Sequence, residues 1–109
     1  MIDDLRRATE PQRITAALRS VLSTEELVAV AGGARDAASG EQSWDQHRLQ
    51  ELQSLVLTLS DSLTGRGVAQ WLHASNRLLG GRAPLDVLTD GDAVAVTAAA
   101  ASFAEGAYL

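Results

Sequence analysis

The sequence predicts an all-α protein, and three observations support this prediction. Apolar residues recur at the helical spacings i, i+3, i+4 and i+7, residues able to cap a helix precede the apolar runs, and no segment alternates apolar and polar residues for the length of a strand. The chain has 109 residues, of which 46% are hydrophobic, so it can form one compact unit or two fused helical units.

The N-terminal region, residues 1–43, is predicted to hold helices in a helix-turn-helix-like order. A first helix begins after Thr9, and a second begins at the capping box of Ser23 and Glu26 and ends at Gly32. A short third helix is expected over residues 34–39. Together these helices would form a bundle that packs on the helix that follows.

Arg35 is the residue of the short helix that could contact DNA, because an arginine there can bind a guanine or a phosphate. Asp36 would repel phosphate, and residues 34–39 contain no Asn, Gln or Lys. The sequence therefore predicts a weak DNA contact through Arg35. The alternative is a three-helix platform that only packs on the next helix.

A long leucine-rich helix is predicted over residues 44–64, connecting the two ends of the chain. Apolar residues follow one another there at alternating spacings of three and four: Leu49, Leu52, Val56, Leu59 and Leu63. Such a seam forms either the spine of a core or a dimer interface. The core spine is favoured, because the chain has few other large apolar residues.

The C-terminal region, residues 65–109, is predicted to be a small helical domain. Gly65 interrupts the long helix, Gly80-Gly81 form a loop between short helices, and a last helix runs from an N-cap at Asp90 to Glu105. Five apolar residues of this region are assigned to its core: Trp71, Leu72, Leu78, Leu85 and Leu88.

The composition argues against enzyme and metal chemistry. The chain has no cysteine and only two histidines, His47 and His73, and its acidic residues stand where helix starts and solvated faces would place them. We therefore predict no catalytic residues, no metal site and no cofactor, and we do not expect the protein to be an enzyme.

Charge and hydropathy narrow the set of partners. The formal net charge is −5, so only a local arginine patch could contact DNA. No apolar run approaches the ~20 residues of a membrane span, and the segment Met1–Arg7 lacks the apolar stretch of a secretory signal. The expected location is the cytoplasm, with no membrane partner.

From Gly67 onward the sequence contains motifs in a characteristic order. They are Trp71-Leu72, Ser75-Asn76-Arg77, Leu79-Gly80-Gly81-Arg82-Ala83-Pro84 with Leu85 and Leu88, then Gly91, and finally Gly106-Ala107-Tyr108. This series resembles the toxin-binding domain of the Xre/MbcA/ParS antitoxin family. The N-terminal region is similar to the helix-turn-helix of that family only in its layout.

The resemblance implies an antitoxin of a type II toxin–antitoxin system. Members of the family pair with RES-domain toxins, which consume NAD, and they neutralise the toxin by packing the C-terminal helix and tail over its active site. The implied partner is a RES-domain toxin in a hetero-oligomer. Carried onto this chain, toxin binding falls on Arg77, Arg82, Phe103, Gly106, Ala107, Tyr108 and Leu109.

The residues alone leave other interpretations open. A DNA-binding regulator that represses its own operon would use Arg35 on operator DNA, and a dimerisation module would use the seam from Leu49 to Leu63 to form a homodimer. Without the resemblance, Phe103 and Tyr108 would be assigned to closing the core of their own domain.

Overall fold

The computed structural model describes residues 2–106 and is mainly α-helical. The elements, in chain order, are α1 (Ile2–Arg7), α2 (Pro11–Leu18), α3 (Thr24–Ala31), β1 (Gly32–Arg35), β2 (Gln42–Trp44), α4 (Gln46–Ser60), α5 (Gly65–His73), the short 3-10 helix η1 (Arg77–Leu79), α6 (Pro84–Thr89) and α7 (Ala93–Ala104). None of the helices within residues 2–106 is long and apolar enough to cross a membrane.

The capping box predicted at the start of α3 is present. The Ser23 hydroxyl accepts a hydrogen bond from the Glu26 amide, and the Ser23 amide donates to the Glu26 carboxylate at 2.8 Å. Two unsatisfied backbone donors of the first turn are paired in this way, so α3 begins at the residue that the sequence indicates.

The prediction of a helix over residues 34–39 is wrong, because this segment belongs to a β-hairpin. Strand β1 pairs with β2 in antiparallel orientation, with Gly32 opposite Trp44 and Arg35 opposite Gln42. In the turn, the Asp36 carboxylate accepts hydrogen bonds from the amides of residues 38 and 39. Glycines before the segment and an aspartate that pairs locally favour a turn over a helix, and the helix-turn-helix order loses its third helix.

Helix α4 is the spine of the core, as the leucine pattern predicts. The four seam residues within it have no exposed surface, and α4 packs against α1, α2, α3, α5 and α7; these residues are Leu49, Leu52, Val56 and Leu59. A buried seam cannot also be a dimer interface, so that alternative is excluded. The helix is shorter than predicted, because Asp45 caps its start and Asp61 its end.

The C-terminal elements close the core against α4. Of the five residues assigned to the core, Leu72 and Leu88 are buried, while Trp71 and Leu85 are half-buried and pack against it. Leu78 is 54% exposed, and its assignment to the core is wrong. The turn of η1 directs the next residue, Leu79, toward the core instead.

The start of the last helix also differs from the prediction. The side chain of Asp92 accepts a hydrogen bond from the Ala95 amide and caps α7, whereas Asp90 ends α6. The two helices are joined through Gly91, which has a φ of +93°. Two aspartates two residues apart offer equivalent capping side chains, and the left-handed glycine between them selects the second.

Candidate functional site

A groove lies at the C-terminal end of α5, where the last helix meets the turn that follows α5. It encloses about 440 Å³ and is bordered by Trp71, Ala74, Ser75, Asn76, Arg77 and Phe103. We call it the Trp71–Phe103 groove. It combines residues that are separated by about a third of the chain and brings two of the predicted site residues, Arg77 and Phe103, to one place.

The two aromatic side chains form the apolar part of this groove. The rings of Trp71 and Phe103 have centroids 6.3 Å apart and planes inclined at 57°, within the range of tilted aromatic contacts. Trp71 is held near the end of α5, which begins where the Thr64 hydroxyl accepts a hydrogen bond from the Gly67 amide. Both rings are half-buried, so one part of each packs on the core.

Asn76 organises the turn between α5 and α6. Its side-chain oxygen accepts a hydrogen bond from the Leu78 backbone amide at 2.9 Å, and the backbone amide of Asn76 donates to the Arg82 carbonyl at 3.0 Å. The backbone carbonyl of Asn76 accepts hydrogen bonds from the backbone amides of Leu79 and Gly81. Asn76 is buried, so these bonds fix the loop that presents Arg77 and Leu78 to solvent.

The two arginines predicted to bind the toxin have different surroundings. Arg82 pairs with the Asp90 carboxylate, so its charge already has a partner within the chain. Arg77 borders the Trp71–Phe103 groove and is exposed, and no carboxylate among residues 2–106 forms an ion pair with it. Of these two arginines, Arg77 is therefore the one whose charge is available to an acidic partner.

The last helix ends beside the groove. The Gly106 amide donates to the Phe103 carbonyl at 3.0 Å, and the φ of Gly106 is +79°, which ends α7 in the left-handed conformation that glycine adopts without strain. The chain thus leaves α7 three residues after Phe103. The predicted site residues Ala107, Tyr108 and Leu109 lie outside the described residues.

A polar contact joins the N-terminal helices to α5. The Nδ1 atom of His73 lies 2.6 Å from the Ala69 carbonyl oxygen, and Nε2 lies 2.5 Å from a carboxylate oxygen of Glu26 on α3. Both nitrogens can donate only when the ring is protonated, so the Ala69 carbonyl and then Glu26 raise the pKa of His73. Burial raises the pKa of Glu26, but hydrogen bonds from the Ser23 amide and His73 lower it further.

The structure does not support Arg35 as part of a recognition helix. Arg35 lies on β1, and a shallow hollow beside it is also bordered by the carboxylates of Asp36 and Glu41. The pKa of Asp36 is lowered by the backbone amides of residues 38 and 39, so this carboxylate stays charged. Two carboxylates next to one arginine oppose binding to phosphate.

The arrangement is suited to recognition of a partner. Among residues 2–106 no group of histidine and carboxylate side chains is placed to hold a metal ion. The Trp71–Phe103 groove instead offers two aromatic side chains and an arginine, which are residue types enriched in protein interfaces.

Sequence reasoning missed two features of this region. The role of Asn76 has a local signal, an asparagine directly before a short apolar helix, which is typical of an N-cap. The contact between Glu26 and His73 has no such signal, because 47 residues separate them.

Comparisons with known proteins identify a family for the C-terminal part of the chain. Residues 62–99 match the family model described as the antitoxin Xre/MbcA/ParS C-terminal toxin-binding domain. Trp71, Asn76 and Arg77 fall inside the match, and Phe103 lies just beyond it.

The similarity extends over nearly the whole chain. The chain is 44% identical to the probable mycobacterial cidal antitoxin Rv3188 of Mycobacterium tuberculosis, and the alignment covers 96% of each protein. Its fold matches a chain in the crystal structure of the M. tuberculosis MbcT–MbcA toxin–antitoxin complex with a TM-score of 0.69 and 29% identity, covering 88% of this chain and 94% of that one.

Proposed function

The chain belongs to the Xre/MbcA/ParS antitoxin family, and we propose that, as the antitoxin of a type II toxin–antitoxin system, it neutralises a RES-domain toxin that consumes NAD. The similarity to an antitoxin over 96% of both chains supports the assignment to a toxin–antitoxin system. The likeness to a chain from a toxin–antitoxin complex supports a direct protein partner.

We infer that the toxin contacts the end of the molecule that carries the Trp71–Phe103 groove. The observation that supports this site best is the exposed Arg77 beside two half-buried aromatic rings. Leu78, next to Arg77, is 54% exposed and adds an apolar side chain beside this cation. An acidic and apolar surface of the toxin would bury Leu78 and pair with Arg77.

The proposed mechanism is steric obstruction of the toxin's active site. Gly106 ends α7 beside the groove, so the described part of the chain ends on the side of the molecule that we propose to bind the toxin. A contact through Phe103 and Arg77 would then direct Tyr108 and Leu109 toward the toxin. Substrate access would be lost because the antitoxin occupies the entrance, and no chemistry by the antitoxin is required.

This mechanism is tested by the rate at which the purified toxin consumes NAD in the presence of increasing amounts of the antitoxin. We expect the full chain to inhibit at about one antitoxin per toxin. Deletion of residues 106–109 should leave helicity unchanged and abolish inhibition. A truncated chain that inhibits as well as the full chain would contradict obstruction by the tail.

The contribution of Arg77 is tested by Arg77→Glu, which reverses an exposed charge without removing a contact of the core. We expect affinity for the toxin to fall by about 30-fold or more, because arginines at interface centres contribute about 2 kcal/mol or more. Arg13→Glu is the matched control, since Arg13 is exposed on α2 at the other end of the sequence and tolerates an acidic residue in a first turn. Equal affinities for the two variants would place the interface elsewhere.

A further inference from the structure

Helix α5 has little stability of its own, so its position depends on the contacts of its side chains. It has nine residues, two of which are glycines, and helices shorter than about 12 residues are marginal in water by themselves. Val68 and Leu72 are buried in the core with no exposed surface. Contacts along this one side hold α5 against the core, but they leave open the rotation of its last turn, which carries Trp71.

The last turn of α5 is held on two opposite sides of Leu72. Successive residues of a helix are rotated by about 100°, so Trp71 and His73 project in nearly opposite directions. Trp71 contacts Phe103 on α7 and borders the Trp71–Phe103 groove. His73 contacts Glu26 on α3. A rotation of the turn that breaks the contact of His73 would therefore also move the Trp71 ring.

Glu26 is a fixed partner in this contact. Its Oε1 accepts a hydrogen bond from the Ser23 amide at 2.8 Å and completes the capping box of α3, while its Oε2 faces His73. The carboxylate cannot follow a rotation of α5 without breaking this cap. Because α3 also packs against α4 and α6, the contact ties the end of α5 to a helix that is itself held on the core.

The contact requires that His73 carry a proton on both ring nitrogens. Nδ1 lies 2.6 Å from the Ala69 carbonyl oxygen and Nε2 lies 2.5 Å from the Glu26 carboxylate, and both of these partners can only accept. A neutral ring donates through one nitrogen and places the lone pair of the other against an oxygen. Deprotonation of the ring therefore breaks one of the two hydrogen bonds.

The surroundings of His73 favour the protonated ring. The Ala69 carbonyl, and then Glu26 on α3 and Asp86 on α6, raise the pKa of His73 against the opposing effect of burial. In the described part of the chain, no charged side chain of α4, which also packs against α5, adds to this set. The contact is complete below the usual value of 6.5 and is lost as the pH rises through the higher folded-state pKa.

We propose that protonated His73 is a positioning residue for the candidate toxin-binding site, because its contact with Glu26 holds the last turn of α5 in the rotation that places Trp71 beside Phe103. His73 is not among the described residues that border the groove, so it acts through Trp71. The consequence for toxin binding rests on the proposed function, whereas the position of Trp71 is a property of the free chain.

NMR spectroscopy of the free chain labelled with ¹⁵N tests the position of Trp71. The chain has two tryptophans, so the indole N–H signal of Trp71 reports on the groove, and that of Trp44, on β2, is the internal control. Between pH 5.5 and 9 we expect the Trp71 signal to shift with the same midpoint as the ring signals of His73. The Trp44 signal should not follow that midpoint.

Glu26→Gln separates a movement of Trp71 from a direct effect of the ring charge. Glutamine preserves the capping box, and its amide can donate to Nε2 of the neutral His73 ring. At pH 9 the Trp71 signal of this variant should lie near its position in the unmodified chain at pH 5.5, although the ring is uncharged. Glu25→Gln is the matched control, because it removes the same charge at the adjacent, exposed residue, and it should behave like the unmodified chain.

The consequence for binding is measured with the toxin that is recovered with the chain from its native cells. Because the toxin also titrates, the dissociation constant of each variant is compared with that of the unmodified chain at the same pH. At pH 9, Glu26→Gln should bind about two- to threefold more tightly than the unmodified chain, since a partly exposed ion pair shifts an equilibrium by a factor of about 1.4 to 5. Glu25→Gln should bind like the unmodified chain at both pH values.

Three results would overturn the proposal. The first is a Trp71 signal that does not follow the titration of His73. The second is a Trp71 signal of Glu26→Gln that matches the unmodified chain at pH 9, which would assign the shift to the ring charge alone. The third is a ratio of dissociation constants for Glu26→Gln that is the same at pH 5.5 and 9. A chain that binds no toxin at either pH would contradict the proposed function, and the NMR measurements on the free chain distinguish that failure from a failure of the positioning contact.

Discussion

Glu26 connects two parts of the molecule because its two carboxylate oxygens have different partners. One oxygen accepts from the Ser23 amide and completes the cap of α3, and the other pairs with His73 on α5. The same side chain therefore stabilises a local helix start and holds the N-terminal helices against the helix that carries Trp71. The capping half of this arrangement is predictable from the sequence, and the contact with His73 is not.

The pair of Glu26 and His73 predicts a dependence of stability on pH. The pKa of His73 is raised by the Ala69 carbonyl and by Glu26, so its contribution is complete below its usual value of 6.5 and is lost as the pH rises through the folded-state pKa. The pKa of Glu26 is lowered, so its contribution is present above its usual value of 4.5 and is lost as the pH falls through the lower folded-state pKa. The contact should stabilise the fold most between these two values.

Urea denaturation of the unmodified chain and of His73→Gln tests this dependence. We expect His73→Gln to be less stable by about 0.5 kcal/mol near pH 5.5, because exposed ion pairs contribute little, and the difference should shrink at pH 9. His47→Gln is the matched control, since His47 is exposed and its contact with the Glu51 carboxylate is longer, at 3.8 Å. If the difference in free energy of unfolding between the unmodified chain and His73→Gln is constant from pH 5.5 to 9, the contact does not depend on ionisation and the prediction is contradicted.

At the scale of the elements, the hairpin shows where sequence patterns fail. Residues 34–39 contain three alanines, which favour a helix, but glycines at 32, 33 and 40 leave only six residues between them. A helix this short has no stability of its own. The hairpin is stabilised by contacts across the turn, including the hydrogen bond from Ser43 to the Ala34 carbonyl, and these depend on residues that lie nine positions apart.

Helix α4 shows the opposite case, because its periodicity alone identifies the core. Leu49, Leu52, Val56 and Leu59 are spaced as a buried stripe and are all fully buried. The pattern does not give the bounds of the helix, because these depend on local hydrogen bonds: the Asp45 side chain caps the start, and the backbone amide of Asp61 donates to the carbonyls of Thr58 and Leu59 at the end. Gln53 adds a contact that the pattern does not predict, since its amide donates to the carbonyls of Leu5 and Ala8 and holds α1 against α4.

The seam of α4 predicts a loss of stability from a polar substitution. Val56→Asn places an amide without partners at a position with no exposed surface, so we expect the free energy of unfolding to fall by about 3 kcal/mol. Denaturation with urea measures this loss, with Ser54→Asn, at an exposed position of the same helix, as the control. A change in oligomeric state at unchanged stability would contradict the assignment of the seam to the core.

At the scale of the whole molecule, the sequence indicates the region of the candidate site, and the structure shows which side chains meet there. The motifs from Trp71 to Pro84 identify the region that we propose as the toxin-binding site. They do not indicate that Phe103 packs on Trp71, because this contact depends on how α7 returns along α4. For the same reason, only the structure distinguishes the exposed Arg77 from Arg82, which pairs with Asp90.

The identity of the partner tests the account most directly. The chain, carrying a purification tag at its N-terminus so that the C-terminal residues stay free, is isolated from its native cells, and the proteins that co-elute are identified by mass spectrometry. The account predicts a RES-domain toxin in near-stoichiometric amount, which Arg77→Glu reduces and Arg13→Glu does not. Recovery of the chain with operator DNA and no protein partner, or as a homo-oligomer alone, would contradict it.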